Sequence, residues 1–126
     1  MKMSRRETGR LGERLAQQFL QKESFNILDS NYRCAEGEID IVARRDDCLV
    51  FVEVRTRSGP AFGSPEESVT PDKKRKLITA AQHYIQNHEG LSSSWRIDFI
   101  AVDLDHHNKP QRIEPVSYTH LRAHET

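Results

Sequence analysis

The chemistry-bearing residues of this chain sit where a buried strand should have none. Glu38-Ile39-Asp40-Ile41-Val42-Ala43 and Phe51-Val52-Glu53-Val54-Arg55 are apolar runs interrupted by charge. If Asp46-Asp47 forms a two-residue hairpin loop, antiparallel pairing sets Asp40 opposite Glu53 and Glu38 opposite Arg55. Alternation then puts Glu38 and Asp40, and likewise Glu53 and Arg55, on one face, with Ile39, Ile41, Val52 and Val54 on the other. Two carboxylates facing each other across a strand pair repel, the more so when withdrawn from water, and invite a compensating cation. A hard divalent ion such as Mg²⁺ takes this kind of oxygen donor, one or two carboxylates completed by water and substrate phosphate. The alternative is a solvated acidic face neutralised by Arg44, Arg55 or Arg57 without any metal. The metal reading is favoured by Leu49-Val50-Phe51-Val52, apolar on both faces, which marks a central strand where unpaired charge is hard to solvate.

Cations supply the second set of candidates. Lys73, Lys74, Arg75 and Lys76 fall where a helix should begin, and positive charge there opposes the helix dipole. A placement that costs local stability points to phosphate contact, with Lys73 and Lys76 on one face by their spacing. The alternative is a solvated face offset by Glu66, Glu67 and Asp72. Arg10 and Arg14 share a face of the first helix and could flank a nucleic-acid groove, or simply be exposed. Asp98 reads as a supporting carboxylate or a partner of Arg96 or Arg112. His83 and Gln82 read as helix-surface residues with access to substrate, and Tyr84 and Trp95 as core aromatics.

The elements that must position these residues are legible. Ser4-Arg5-Arg6-Glu7 has the form of a capping box, and Leu11, Leu15, Phe19 and Leu20 recur at helical spacing, predicting a helix over about 5–23. Gly12 inside it implies close approach of another backbone. Period-two patterning predicts strands over 26–34, 38–44 and 48–56. The segment 57–70, rich in glycine and proline, reads as a long loop of the lid or binding type. Thr70-Pro71 opens a second helix to about 88, with Leu77, Ile78, Ala81, Tyr84 and Ile85 as its apolar stripe. A strand over 95–104 and a short edge strand over 112–116 complete the order. The last ten residues, SYTHLRAHET, have no apolar periodicity and read as a non-native or disordered tail, leaving 1–116 as the domain.

Composition bounds the function. The chain has 126 residues, 36% hydrophobic and 30% charged, enough for one folded core. Lys plus Arg and Asp plus Glu are 19 each, so a polyanion must be met by a local patch rather than by net charge. No run approaches the roughly 18 apolar residues of a membrane span, and MKMSRRETGR lacks the apolar segment of a secretion signal, so a cytoplasmic protein with no membrane partner is expected. Cys34 and Cys48 lack metal-site spacing and read as reduced structural thiols.

Glu13, Gly37-Glu38-Ile39-Asp40-Ile41-Val42-Ala43 and Phe51-Val52-Glu53-Val54-Arg55-Thr56-Arg57 together resemble the PD-(D/E)xK nuclease superfamily. More closely, the chain is similar to the bacterial YraN-like family, related to archaeal Holliday-junction resolvases. The resemblance runs from about Gly9 to Val116 and includes Thr70-Pro71-x-Lys73-x-x-Lys76-Leu77 and Trp95-Arg96-x-Asp98-Phe99. It implies an α/β, restriction-endonuclease-like fold, a mixed central sheet flanked by helices. It implies DNA as the partner, branched DNA among the substrates, and a homodimer matching the symmetric strands of a junction. Carried over residue by residue, it makes Asp40 and Glu53 ligands of Mg²⁺ or Mn²⁺, with the Val54 carbonyl as a third donor and Glu13 closing the site. The ion would polarise the scissile phosphate and help generate hydroxide. Lys73, Lys76, Arg57, Arg10 and Arg14 become candidate nucleic-acid contacts. The departure is Arg55, where the motif has lysine: arginine stays charged and can grip a phosphate but cannot serve as a base. The competing expectation is therefore a catalytically weak or inactive nucleic-acid-binding module on the same fold.

Overall fold

The computed structural model describes residues 3–58, 70–90 and 94–122, with 117–122 described by backbone alone. Its elements are α1 (Arg5–Lys22), β1 (Asn26–Cys34), β2 (Gly37–Arg45), β3 (Cys48–Ser58), α2 (Pro71–Gln86), β4 (Ser94–Leu104) and β5 (Pro110–Arg122). The strands form one mixed sheet in the order β1-β2-β3-β4-β5, with β3 central as its apolar run requires. β3 and β4 are parallel and every other neighbouring pair is antiparallel. The parallel pair needs a crossover, which contains α2.

One helix covers each face. The capping box expected at Ser4 and Glu7 is present in both directions and fixes where α1 starts. Ala16 and Leu20 of α1 pack on Ile41, Ala43, Val50, Val52, Ile100 and Val102. Leu77, Ala80, Ala81 and Tyr84 of α2 pack on Ile39, Val42, Leu49, Phe51 and Ile97. A Cβ on Gly12 would lie 1.7 Å from Thr56 Oγ1 and 2.8 Å from Thr56 Cβ, so glycine lets α1 settle against β3. The close approach is to a β3 side chain, rather than to the backbone expected.

The β2–β3 register is the one that an Asp46-Asp47 loop dictates, running from Arg45↔Cys48 to Ile41↔Val52, with Asp46 at φ 55°. Beyond Ile41↔Val52 the strands part, and this corrects the continued pairing expected above. Glu38 does not reach Arg55; it stands opposite Arg33 on β1 and forms an exposed ion pair with it at 3.4 Å. Ile39 and Ile41 also do not share a face, since Ile39 packs under α2 and Ile41 under α1. The physical reason lies on β1. Asn31, between the pairs Ser30↔Ile41 and Tyr32↔Ile39, has a left-handed backbone with φ 54°, which interrupts strand alternation opposite Asp40.

Two boundaries also differ. β3 continues through Arg57 and Ser58, taking the first residues of the expected loop, while 59–69, where a lid was expected, lie outside the described residues. β5 is longer than the 112–116 expected, so 117–122, set aside as tail, pair with β4 down to Ser94↔Arg122. Backbone N–H and C=O groups along β4 accept any extended chain, so this pairing needs no side-chain periodicity to announce it.

Candidate functional site

The parting of β2 from β3 builds the site. Past Val52, the β2-side edge of β3 has no ladder partner among the described residues, and Asp40 takes the place of one: its Oδ2 accepts the Val54 N–H at 2.7 Å. A strand residue sends its N–H and C=O to the same edge, so the Val54 carbonyl lies along this edge too. Glu53 is buried and in contact with Asp40, carboxyl to carboxyl. Burial first and the Glu53 charge second push the Asp40 carboxyl up to about 7, against the lowering effect of the Val54 N–H. Glu13 reaches in from α1. Its carboxyl is raised by burial and, less, by Glu38 and Glu53, while the Asn31 side chain holds it down by a hydrogen bond.

A cavity of about 520 Å³ opens beside this cluster, lined by Gly9 and Glu13 of α1, Asp40 of β2, and Val54, Arg55 and Ser58 of β3. Gly12 is what brings Glu13 there, by letting α1 lie close on Thr56. The donors gathered are two touching carboxyl groups and a backbone carbonyl, with a third carboxyl nearby. All are oxygens, the set a hard ion such as Mg²⁺ or Mn²⁺ accepts. Among the described residues no three His, Cys, Asp or Glu side chains are grouped closely enough to hold a metal ion among themselves, so Glu13 stands outside the Asp40 and Glu53 pair. Two carboxyl groups and a carbonyl make a partial set of the kind Mg²⁺ takes when water and a substrate oxygen complete its shell, and they are too few for a sequestered structural metal.

The sequence candidates divide. Asp40, Glu53, Val54, Glu13 and Arg55 come together; Arg55 Nε is buried with no hydrogen-bond partner among the described residues. Lys73 joins them from α2, its Nζ 2.7 Å from Glu53 Oε2. Lys76 does not share that position; it is exposed and pairs with Asp72 at 3.4 Å. Arg10 and Arg14 are exposed on α1. Arg57 is engaged elsewhere: its Nε and Nη2 donate to Asp103 at 2.9 and 3.2 Å. Asp98 accepts from Arg96, one of the partners expected for it, and His83 Nδ1 lies 2.5 Å from the Tyr32 hydroxyl. The residue sequence reasoning missed is Asn31. Its signal was an asparagine within a strand, the non-glycine type that most readily takes the left-handed conformation.

Comparison with known proteins places most of the chain in one family. The family described as "Uncharacterised protein family UPF0102" matches residues 12–102. A UPF0102 protein of Dehalococcoides mccartyi is 47% identical over 104 residues, covering 82% of this chain and 86% of that protein. One from Moorella thermoacetica is 41% identical over 116 residues, covering 92% and 97%. One from Renibacterium salmoninarum is 43% identical over 117 residues, covering 93% and 94%.

Proposed function

We propose, from the premise that the chain belongs to the UPF0102 family, the YraN-like family it resembles, that it is a divalent-metal-dependent endonuclease hydrolysing DNA phosphodiester bonds, with branched DNA among its substrates. The observation that carries the reading is the contact between Asp40 and Glu53 on the open edge of β3, beside a cavity that admits substrate. Asp40, Glu53, the Val54 carbonyl and Glu13 would hold Mg²⁺ or Mn²⁺. Bound there, the ion would supply Lewis-acid polarisation of the phosphate and a more acidic water. The chain's own groups do the rest. The Val54 N–H fixes the orientation of Asp40. The Arg55 guanidinium stabilises negative charge developing on the phosphate. Arg10 and Arg14 on α1 and Lys76 on α2 meet the DNA backbone outside the cavity, through contacts that weaken as salt rises. A homodimer fits a junction's paired strands and is read by sedimentation.

Arg55 favours a second reading, a DNA-binding module of little or no catalysis, because a guanidinium cannot act as a base. One experiment separates the two. Labelled four-way-junction and linear DNA are incubated with the full chain and Mg²⁺ or Mn²⁺, beside Asp40→Asn. Metal-dependent cutting that falls at least about 1,000-fold in the variant supports the nuclease. Binding without cutting under every metal condition moves the assignment to the module.

A further inference from the structure

The four cations at the start of α2 are not equivalent. Arg75 and Lys76 are exposed and pair with Asp72 on their own helix. Lys73 turns inward, 29% exposed, and places its ammonium 2.7 Å from the Glu53 carboxylate, itself only 12% exposed. Its backbone is pinned, since the Thr70 side chain accepts the Lys73 N–H at 3.1 Å and so sets the first turn. A cation in that turn opposes the helix dipole, and Glu53 offsets the cost. On β3, by contrast, Arg55 has a buried Nε with no partner among the described residues. The acidic cluster thus receives its bound cation from α2, across the sheet from α1, and not from the strand that carries Glu53.

Resting on the nuclease reading, we propose that Lys73 is a catalytic residue of this site. Its ammonium holds Glu53 while no metal is bound, competes with the divalent ion for that carboxylate, and on metal binding passes to a non-bridging oxygen of the scissile phosphate. The role is electrostatic, with no bond made or broken at Lys73. Arg55 then grips the phosphate from β3 and Lys73 from α2.

The test has two readouts on the full chain, for wild type, Lys73→Met and Lys73→Arg. The first is Mn²⁺ affinity by calorimetry without DNA. Removing the competing ammonium tightens binding by about fivefold in Lys73→Met, the size of a partly exposed ion pair, and less in Lys73→Arg. The second is single-turnover cutting at saturating Mn²⁺. Lys73→Met slows it at least about 100-fold and Lys73→Arg recovers part of the loss. Binding of uncut DNA in Ca²⁺ stays within about threefold of wild type, unlike the loss expected at an ordinary backbone contact. Unchanged Mn²⁺ affinity in Lys73→Met, or cutting within threefold of wild type, overturns the assignment. If wild type binds Mn²⁺ and cuts no DNA, the nuclease reading fails and with it the phosphate contact; the affinity shift then decides alone whether Lys73 is the counter-ion of Glu53.

Discussion

Asp40 and Asp103 both stand on strands of the central sheet, withdrawn from water, and their surroundings are opposite. Asp103 is 1% exposed and fully answered: Arg57 grips both its oxygens, and Arg112 donates to Oδ2 from Nε at 2.8 Å and Nη2 at 2.6 Å. Among the described residues, Asp40 is half-buried and answered by one backbone N–H, and the charged neighbours that act on it are the carboxyl groups of Glu53 and Glu13. The first aspartate is closed by the fold and joins β3, β4 and β5. The second is left short of positive charge beside a cavity. Charge within a sheet is therefore no sign of function by itself; the sign is charge that the fold does not neutralise.

Mutations that treat the two alike should have unlike results. Asp103→Ala removes the carboxylate that Arg57 and Arg112 share and should lower stability by about 3 kcal/mol, read by urea unfolding, whereas Asp40→Asn at neutral pH removes repulsion and should leave stability equal or higher. Gly12→Ala drives a methyl into Thr56 and should cost about 2 kcal/mol, while displacing Glu13 from Asp40. The pH response has a definite sign. The Asp40 carboxyl is raised from 3.8 to about 7, so between those values the folded state holds a proton that the unfolded chain has released. Stability contributed by Asp40 is complete at low pH and is lost as pH rises through that window, by roughly 1–2 kcal/mol for a half-buried group sharing its charge with Glu53. Melting of metal-free protein across the window checks this, and Asp40→Asn should flatten the slope. The smallest effect belongs to Glu38, whose exposed pair with Arg33 makes Glu38→Gln worth under about 0.5 kcal/mol in the same melts.

Much of this arrangement could be read from residue order because it is local. Asp46-Asp47 fixed the register of β2 on β3, Ser4 and Glu7 fixed the start of α1, and the run Leu49-Val50-Phe51-Val52 marked the central strand. The parting of the strands at Asp40 was not legible, because it depends on the left-handed backbone at Asn31 on a different strand. Arg96 was legible as a partner of Asp98, but the partner of Arg57 was not, for a related reason. Arg57 pairs with Asp103, 46 residues away, and nothing in either neighbourhood announces the contact. Lys73 was half legible: its clash with the helix dipole pointed to phosphate contact, whereas the group it meets in the fold is Glu53, brought to it by the crossover from β3 through α2. The family match covers Glu13, Asp40, Glu53 and Lys73 alike, within residues 12–102.

The central claim, that Asp40, beside Glu53, is kept short of positive charge for a divalent cation, is tested most directly by thermal unfolding at about pH 7.5 with and without Mn²⁺, for wild type and Asp40→Asn. A ligand that binds only the folded state stabilises by about 2.7 kcal/mol at 100 times its Kd. The account predicts a rise of several degrees for wild type and none for Asp40→Asn. No rise in wild type, or an equal rise in both proteins, would contradict it.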